Sequence, residues 1–142
     1  MKIEPCTDLP STFHELVASA EAEGLRYLAR LSDEWESGIK RFDRPGEFLL
    51  LAWEGDQLVG VGGLNLDPFA QDPQVGRLRH LYVRPSHRGR GVGRDLAERI
   101  IAGAREAFGV LRVRSFDAGP FYESLGFEPT GEPKATHRLR LA

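Results

Sequence analysis

Residues 81–94 read Leu81-Tyr82-Val83-Arg84-Pro85-Ser86-His87-Arg88-Gly89-Arg90-Gly91-Val92-Gly93-Arg94. An apolar run, a proline and three glycines on alternate positions lead into Leu96, Ala97, Ile100, Ile101 and Ala104, which keep helical spacing. A strand, a glycine turn and a helix in that order offer bare backbone N–H groups and a positive helix end to an anion. Alternate glycines let the main chain press close to a ligand that any Cβ would hold away. Arg88, Arg90 and Arg94 add forked donors suited to phosphate. The stretch reads as a pyrophosphate seat.

Outward from that seat the pattern alternates between sheet and helix. Upstream, Val75–Val83 reads as the strand feeding the turn, with Gly76, Leu78, His80 and Tyr82 on one face and Arg77, Arg79, Leu81 and Val83 on the other. Before it, Glu47–Trp53 and Gln57–Asn65 form a hairpin around Glu54-Gly55-Asp56. Two helices precede the hairpin. One begins at a Ser11 N-cap and closes at Gly24; the other runs through Leu25–Phe42 with Gly38 weakening its end. Met1–Pro5 is a short first strand.

Downstream, the helix from Gly91 to Phe108 gives way to a strand over Val110–Phe116. A short helix follows from Gly119-Pro120 to Leu125, then strands over Phe127–Thr130 and Thr136–Leu141. The order implies an α/β fold: residues 1–142 as one domain, with a mixed, mostly antiparallel sheet flanked by helices.

Composition narrows the function. The formal charge is −2 and the hydrophobic fraction 41%, which favours a packed core and gives a nucleic-acid partner no support. Charge is nevertheless uneven. Val75 to Arg94 holds six arginines and no acid, whereas acidic residues outnumber basic ones from Glu21 to Asp72. The single cysteine, Cys6, excludes an internal disulfide and a cysteine-rich metal site, so no metal is expected. No segment has the length and apolarity of a membrane span, and the first residues lack a secretory h-region. Cytoplasmic residence without a membrane partner is the expectation.

The glycine spacing separates the known phosphate cradles. A P-loop needs Gly-x4-Gly-Lys-Ser/Thr, which is absent. A dinucleotide fingerprint fails at its third glycine, where Arg94 stands, and lacks the acidic residue about twenty positions on. What fits is Arg/Gln-x-x-Gly-x-Gly/Ala, here Arg88, Gly91 and Gly93, with Leu81-Tyr82-Val83-Arg84-Pro85 ahead of it. Phe121-Tyr122-Glu123-Ser124-Leu125-Gly126-Phe127 follows about thirty residues later. The pair resembles the GNAT superfamily of acyl-CoA-dependent N-acetyltransferases, strongly over Val75 to Phe127 and in element order before that.

The resemblance implies a GNAT-like fold with splayed central strands and acetyl-CoA as co-substrate in the gap. Its pantetheine would pair with backbone at Leu81, Tyr82 and Val83. Its pyrophosphate would rest on Arg88, Gly89, Arg90, Gly91, Val92, Gly93 and Arg94, with Phe121 alongside. A primary amine of a small molecule would attack the thioester directly, and Tyr122 would protonate the leaving thiolate. A non-catalytic acyl-CoA sensor of the same fold is the alternative, and a homodimer is left open.

The general base stays unassigned. Arg77 and Arg79 stand where related enzymes often place a base, and guanidinium cannot act as one. They suit a substrate carboxylate instead, so an amino acid or other zwitterion fits both charge patterns. Trp35 and Phe69 are further candidates for lining the acceptor pocket.

Overall fold

The computed structural model describes residues 1–141. Its elements are β1 (Lys2–Pro5), α1 (Phe13–Ala22), α2 (Tyr27–Ser37), β2 (Phe48–Glu54), β3 (Gln57–Leu66) and β4 (Val75–Val83). A single 3-10 turn (Pro85–His87) follows. Then come α3 (Val92–Ala107), β5 (Val110–Val113), α4 (Gly119–Ser124), β6 (Glu128–Pro129) and β7 (His137–Arg140). One seven-stranded sheet runs β1-β2-β3-β4-β5-β7-β6. Every neighbouring pair is antiparallel except β4 and β5. No helix among the described residues is long and apolar enough to cross a membrane.

The sheet is covered on both faces, which explains why β2 and β3 are almost continuously buried. Leu50, Ala52, Val59, Leu64 and Leu78 pack with Leu96, Ala97, Ile100 and Ile101 of α3. Leu49, Leu51, Leu58, Val61 and Tyr82 pack with Phe13 and Leu16 of α1 and Leu28, Leu31 and Trp35 of α2. Both helical stripes follow the 3.6-residue period of their sequences.

Several boundaries differ from the sequence reading for identifiable reasons. The N-cap of α1 is Thr12 rather than Ser11, with no side-chain capping bond. The helix expected over Leu25–Phe42 ends at Ser37, because Gly38 turns left-handed (φ +79°) and its N–H closes on carbonyls of the last turn. Arg41 then donates its Nε–H to the Trp35 carbonyl at 2.9 Å. The strand expected to reach Phe116 stops at Val113, where the chain leaves the sheet; Phe116 is 89% exposed.

The alternation along β4 also needs correction. Two steps on β3, Val61 to Gly63, match three on β4, Tyr82 to Arg79, so β4 carries a bulge. His80 takes it up with φ +60°. Tyr82 therefore packs toward α1 and α2, while Leu81 and Val83 pack on the α3 side with Leu78. Arg79 lies opposite Gly63, whose missing Cβ points at Phe42 and Leu49 on the α2 side. Arg77 and Arg79 do not share a face with Leu81 and Val83.

The parallel pair is short. Val75, Gly76 and Arg77 register with Val110, Leu111 and Arg112, and there the ladder stops while β4 continues to Val83. A buried ion cluster holds this junction. The Asp67 carboxylate, its side chain fully enclosed, accepts from Arg77 Nη1 at 3.2 Å and Arg112 Nε at 2.9 Å. Asp67 Oδ1 also accepts the N–H groups of Phe69 and Ala70. Arg77 Nη2 donates to the Lys134 carbonyl at 2.6 Å, and Arg112 Nη1 reaches Glu132 at 3.4 Å.

Removing one member of a buried ion pair leaves the rest uncompensated and costs about 3–5 kcal/mol. Asp67→Ala is expected to lose stability of that size in urea unfolding. Burial alone would raise the Asp67 pKa, but the Arg112 bond, the Phe69 N–H and the Arg77 charge outweigh it and hold it below the ordinary value. The stabilisation is thus present above the unfolded carboxylate pKa and is lost as pH falls through the lower folded value. An acid-unfolding midpoint unmoved by Asp67→Ala would contradict this.

Candidate active site

Where β4 and β5 part, a cleft of about 520 Å³ opens. Leu81, Tyr82 and Val83 form one wall, and Asp117, Ala118 and Phe121 stand across from them. Arg88, Gly89, Gly91, Val92, Gly93 and Arg94 form the turn at one end. The structure thus gathers ten of the residues singled out for acyl-CoA. Arg90 is not among the lining residues; its Nη1 lies 3.7 Å from Glu54.

The turn is shaped by backbone as the glycine pattern required. Gly89 and Gly91 are left-handed, at φ +79° and +82°, and Gly91 occupies the N-cap of α3. A Cβ on Gly91 would meet nothing within 4 Å, so conformation rather than contact demands glycine in the protein itself. The Asp95 N–H is the first to close on a helical carbonyl, that of Gly91 at 2.9 Å. The N–H groups of the preceding turn are the free donors that every helix start carries.

Two acids hold this turn in place. Glu54, at the end of β2, has a carboxylate oxygen 3.1 Å from His87 Nε2; His87 is buried, and its Nδ1 lies 2.8 Å from Ser86 Oγ. Glu23, just past α1, receives a two-pronged contact from Arg88, Nη2 to Oε1 at 2.7 Å and Nη1 to Oε2 at 2.9 Å. The Tyr82 hydroxyl also donates to Glu23 at 2.7 Å and lies 2.7 Å from Ser19 Oγ. Hydrogen bonds from Arg88 and then Tyr82 hold the Glu23 carboxyl below its ordinary pKa. Arg88 Nε donates to the Val83 carbonyl at 2.9 Å, and its guanidinium lies over the Tyr82 ring.

Tyr27, at the first position of α2, reaches the β4 wall. Its hydroxyl donates to the Leu81 carbonyl at 3.1 Å, and its ring stacks on His80 at 6.1 Å. Burial, and after it the neighbouring Tyr82, pushes its phenol up to about 12. The sequence reading did not select Glu23, Tyr27 or Asp117. Each comes from an element remote in sequence from the turn, and no local motif surrounds it.

Tyr122 sits on α4 behind Phe121. It is 5% exposed and lies edge-on to Phe121 at 5.1 Å and Phe127 at 5.5 Å. It does not line the cleft directly. Burial raises its phenol above the ordinary value, with Tyr27 and then Asp117 adding to the shift. α4 is held to β7 by His137 Nε2 and Glu123 Oε2, 2.9 Å apart.

The other sequence candidates lie elsewhere. Trp35 is buried in the packing between α2 and the sheet. Phe69 is half-exposed beneath Arg77 and Lys134. Arg77 is engaged by Asp67, and Arg79 is on the α2 side of β4. Among the described residues, no group of three or more His, Cys, Asp or Glu side chains is placed to hold a metal.

A glycine turn at the mouth of two parting strands is the feature the fold presents here, and comparison with known proteins identifies the class. The acetyltransferase (GNAT) family profile matches residues 9–127, and the chain belongs to that family. Over 95 residues, covering 67% of this chain, it is 36% identical to a mycothiol acetyltransferase of Corynebacterium aurimucosum. The match spans only 27% of that relative. A crystal structure of an acetyltransferase from Exiguobacterium sp. 255-15 superimposes with TM-score 0.90 and 30% identity, covering 98% of this chain and 92% of the other. A GNAT-family N-acetyltransferase of Escherichia coli in complex with CoA shares the fold at TM-score 0.71 and 21% identity, covering 99% and 81%.

Gly91→Ala places a Cβ in the left-handed region, at about 1–2 kcal/mol. The variant is expected to melt a few degrees lower and to bind acetyl-CoA more weakly, because the first N–H groups of α3 turn from their present direction. Differential scanning and titration calorimetry read the two effects; unchanged affinity would show that the turn is not the anion seat.

Proposed function

We propose that the protein transfers the acetyl group of acetyl-CoA to a primary amine of a small molecule, by direct attack within a ternary complex. The observation that carries this reading is the cleft itself. It is bounded by the free edge of β4, ends on the glycine turn at the start of α3, and has a buried phenol beside it.

In this reading the pyrophosphate meets the backbone donors of Gly91–Arg94 and the positive end of α3. The pantetheine lies along Leu81–Val83. Arg88 is already ordered by Glu23 and the Val83 carbonyl, so it adds charge without a large ordering cost. A backbone N–H of β4 near Val83 polarises the thioester carbonyl.

The amine enters as its free base and attacks the carbonyl carbon. Its C–N bond forms, the nitrogen sheds one proton to solvent water, which restores the Tyr122 proton spent in the next step, and the C–S bond of the tetrahedral intermediate then breaks. The departing thiolate takes a proton from Tyr122, whose raised pKa keeps it protonated at neutral pH. No covalent enzyme intermediate is needed. Cys6 lies at the other edge of the sheet, beside β1, and burial first, then Asp8 and Glu4, push its thiol up to about 11.

Tyr122→Phe keeps the ring packing and removes only the hydroxyl. Turnover, followed as thiol release from acetyl-CoA, is expected to fall about 10²–10⁴-fold while acetyl-CoA affinity stays within about twofold. Because the phenol titrates above its ordinary value, wild-type activity should show no alkaline loss from this group up to about pH 10. Full activity in the variant would remove Tyr122 from the mechanism. Acetyl-CoA binding without thiol release, across a broad amine panel, would instead mark a sensor.

A further inference from the structure

Two neighbouring residues on β4 carry enclosed nitrogen atoms with no hydrogen-bond partner: Arg79 Nη1 and His80 Nε2. Buried polar groups are nearly always paired, and an unpaired one bears its full desolvation cost. Both atoms sit at the bulge, where His80 adopts φ +60°, a conformation non-glycine residues seldom hold without a local reason. The His80 ring is clasped between Tyr27 at 6.1 Å and Phe42 at 5.9 Å.

The charges around these atoms are mostly of one sign. Burial first, then Arg79, Lys40 and Arg30, bring the His80 pKa down to about 3, so the ring is neutral. Burial leads the downward shift of Lys40 and Arg79 as well, each also facing further cations. Glu34 of α2 faces both, yet no ion pair joins it to either among the described residues. Of the other nearby carboxylates, Asp67 is engaged by Arg77 and Arg112, and Glu47, whose charge acts on Lys40, accepts the N–H groups of Leu66 and Arg44. The group thus has an excess of positive charge and, at Arg79 Nη1, a donor without a partner. One ring separates it from the cleft, since Tyr27 both lines the cleft and stacks on His80.

We propose that Arg79 and Lys40, on the α2 side of the His80 bulge, form a carboxylate subsite that seats the acid group of the acceptor. The acceptor is then an amine that also carries a carboxylate. This rests on the acetyltransfer reading and narrows its substrate class. Arg77, the second arginine of the same strand, is excluded from the role by its bond to Asp67. Arg79 is half-buried and its planar fork matches a carboxylate, while Lys40, which feels the Arg79 charge, adds a second cation.

The test measures thiol release from acetyl-CoA with free L-amino acids, their carboxamides and O-phosphoethanolamine, with acetyl-CoA binding followed by calorimetry in parallel. At least one amino acid should exceed its own carboxamide about tenfold or more in kcat/KM, the range of a charged hydrogen bond. Arg79→Gln should bring that ratio close to one. Lys40→Gln, at a half-buried loop position, should lower it several-fold and decides the matter if Arg79→Gln fails to fold. Equal rates on acids and amides, preference for O-phosphoethanolamine, or silence on all amines despite acetyl-CoA binding would overturn the subsite. Absence of acetyl-CoA binding would overturn the proposed function beneath it.

Discussion

The structure depends on where the parallel pairing of β4 and β5 stops. Three register pairs hold the strands together, and beyond Arg77 and Arg112 each goes its own way. A parallel ladder that simply continued would have consumed the β4 edge from Leu78 to Val83 and left no cleft. Two arginines on adjacent strands repel, so the junction needs a shared counter-charge. Asp67 supplies it from the β3–β4 connection, fully enclosed and bonded to both guanidinium groups. Glu132 extends the same network to Arg138 of β7. The strands are thus pinned at one end by electrostatics and free at the other, where the site lies.

A second constraint acts on β4 alone. Without the bulge, Arg79 and Leu81 would share a face. The α3 core would then receive a guanidinium, or the α2 side would receive Leu81. The extra residue at His80 solves this by reversing the alternation midway along the strand. It lets Leu81 and Val83 pack beneath α3 while Tyr82 turns to α1 and bonds Glu23. The local strain at His80 is therefore coupled to the β4 wall of the cleft. Gly62, opposite the bulge, has Ile100 and Leu81 within about 3 Å of where a Cβ would sit, so β3 yields the room that the bulge requires.

These two constraints explain what the sequence disclosed and what it hid. The glycine turn, α3 and the strand before them were legible because their signals are local: spacing, apolar period and positive-φ residues within a few positions. The α2 boundary was readable in principle at Gly38, but Ile39 and Phe42 prolonged the apolar pattern past the true stop. Ile39 is exposed, whereas Phe42 is buried through the loop rather than through a helix. The bulge at His80 had no signature of its own: histidine is several-fold enriched at positive φ, but a single histidine within an apolar strand run does not announce one. Arg77 and Arg79 looked equivalent by spacing. Only the position of Asp67, brought ten residues back by the loop, separates an enclosed ion pair from an open donor.

Glu23 and Glu54 show how acids can order a turn proposed to seat an anion. A loop of arginines and glycines without partners would be mobile and would lose entropy on meeting a phosphate. Here one acid anchors His87 at the front of the turn, and the other aligns Arg88 against Val83 and Tyr82. The backbone N–H groups of Gly91–Arg94 remain free of both, because carboxylates held by side-chain donors do not reach the helix axis. The acids lower the net charge of the turn but not the field of α3, which arises from its peptide dipoles. An anion entering the cleft would therefore meet a preformed backbone seat, with Arg88 already fixed beside it. The price is a weaker long-range pull than the run of arginines in the sequence implied.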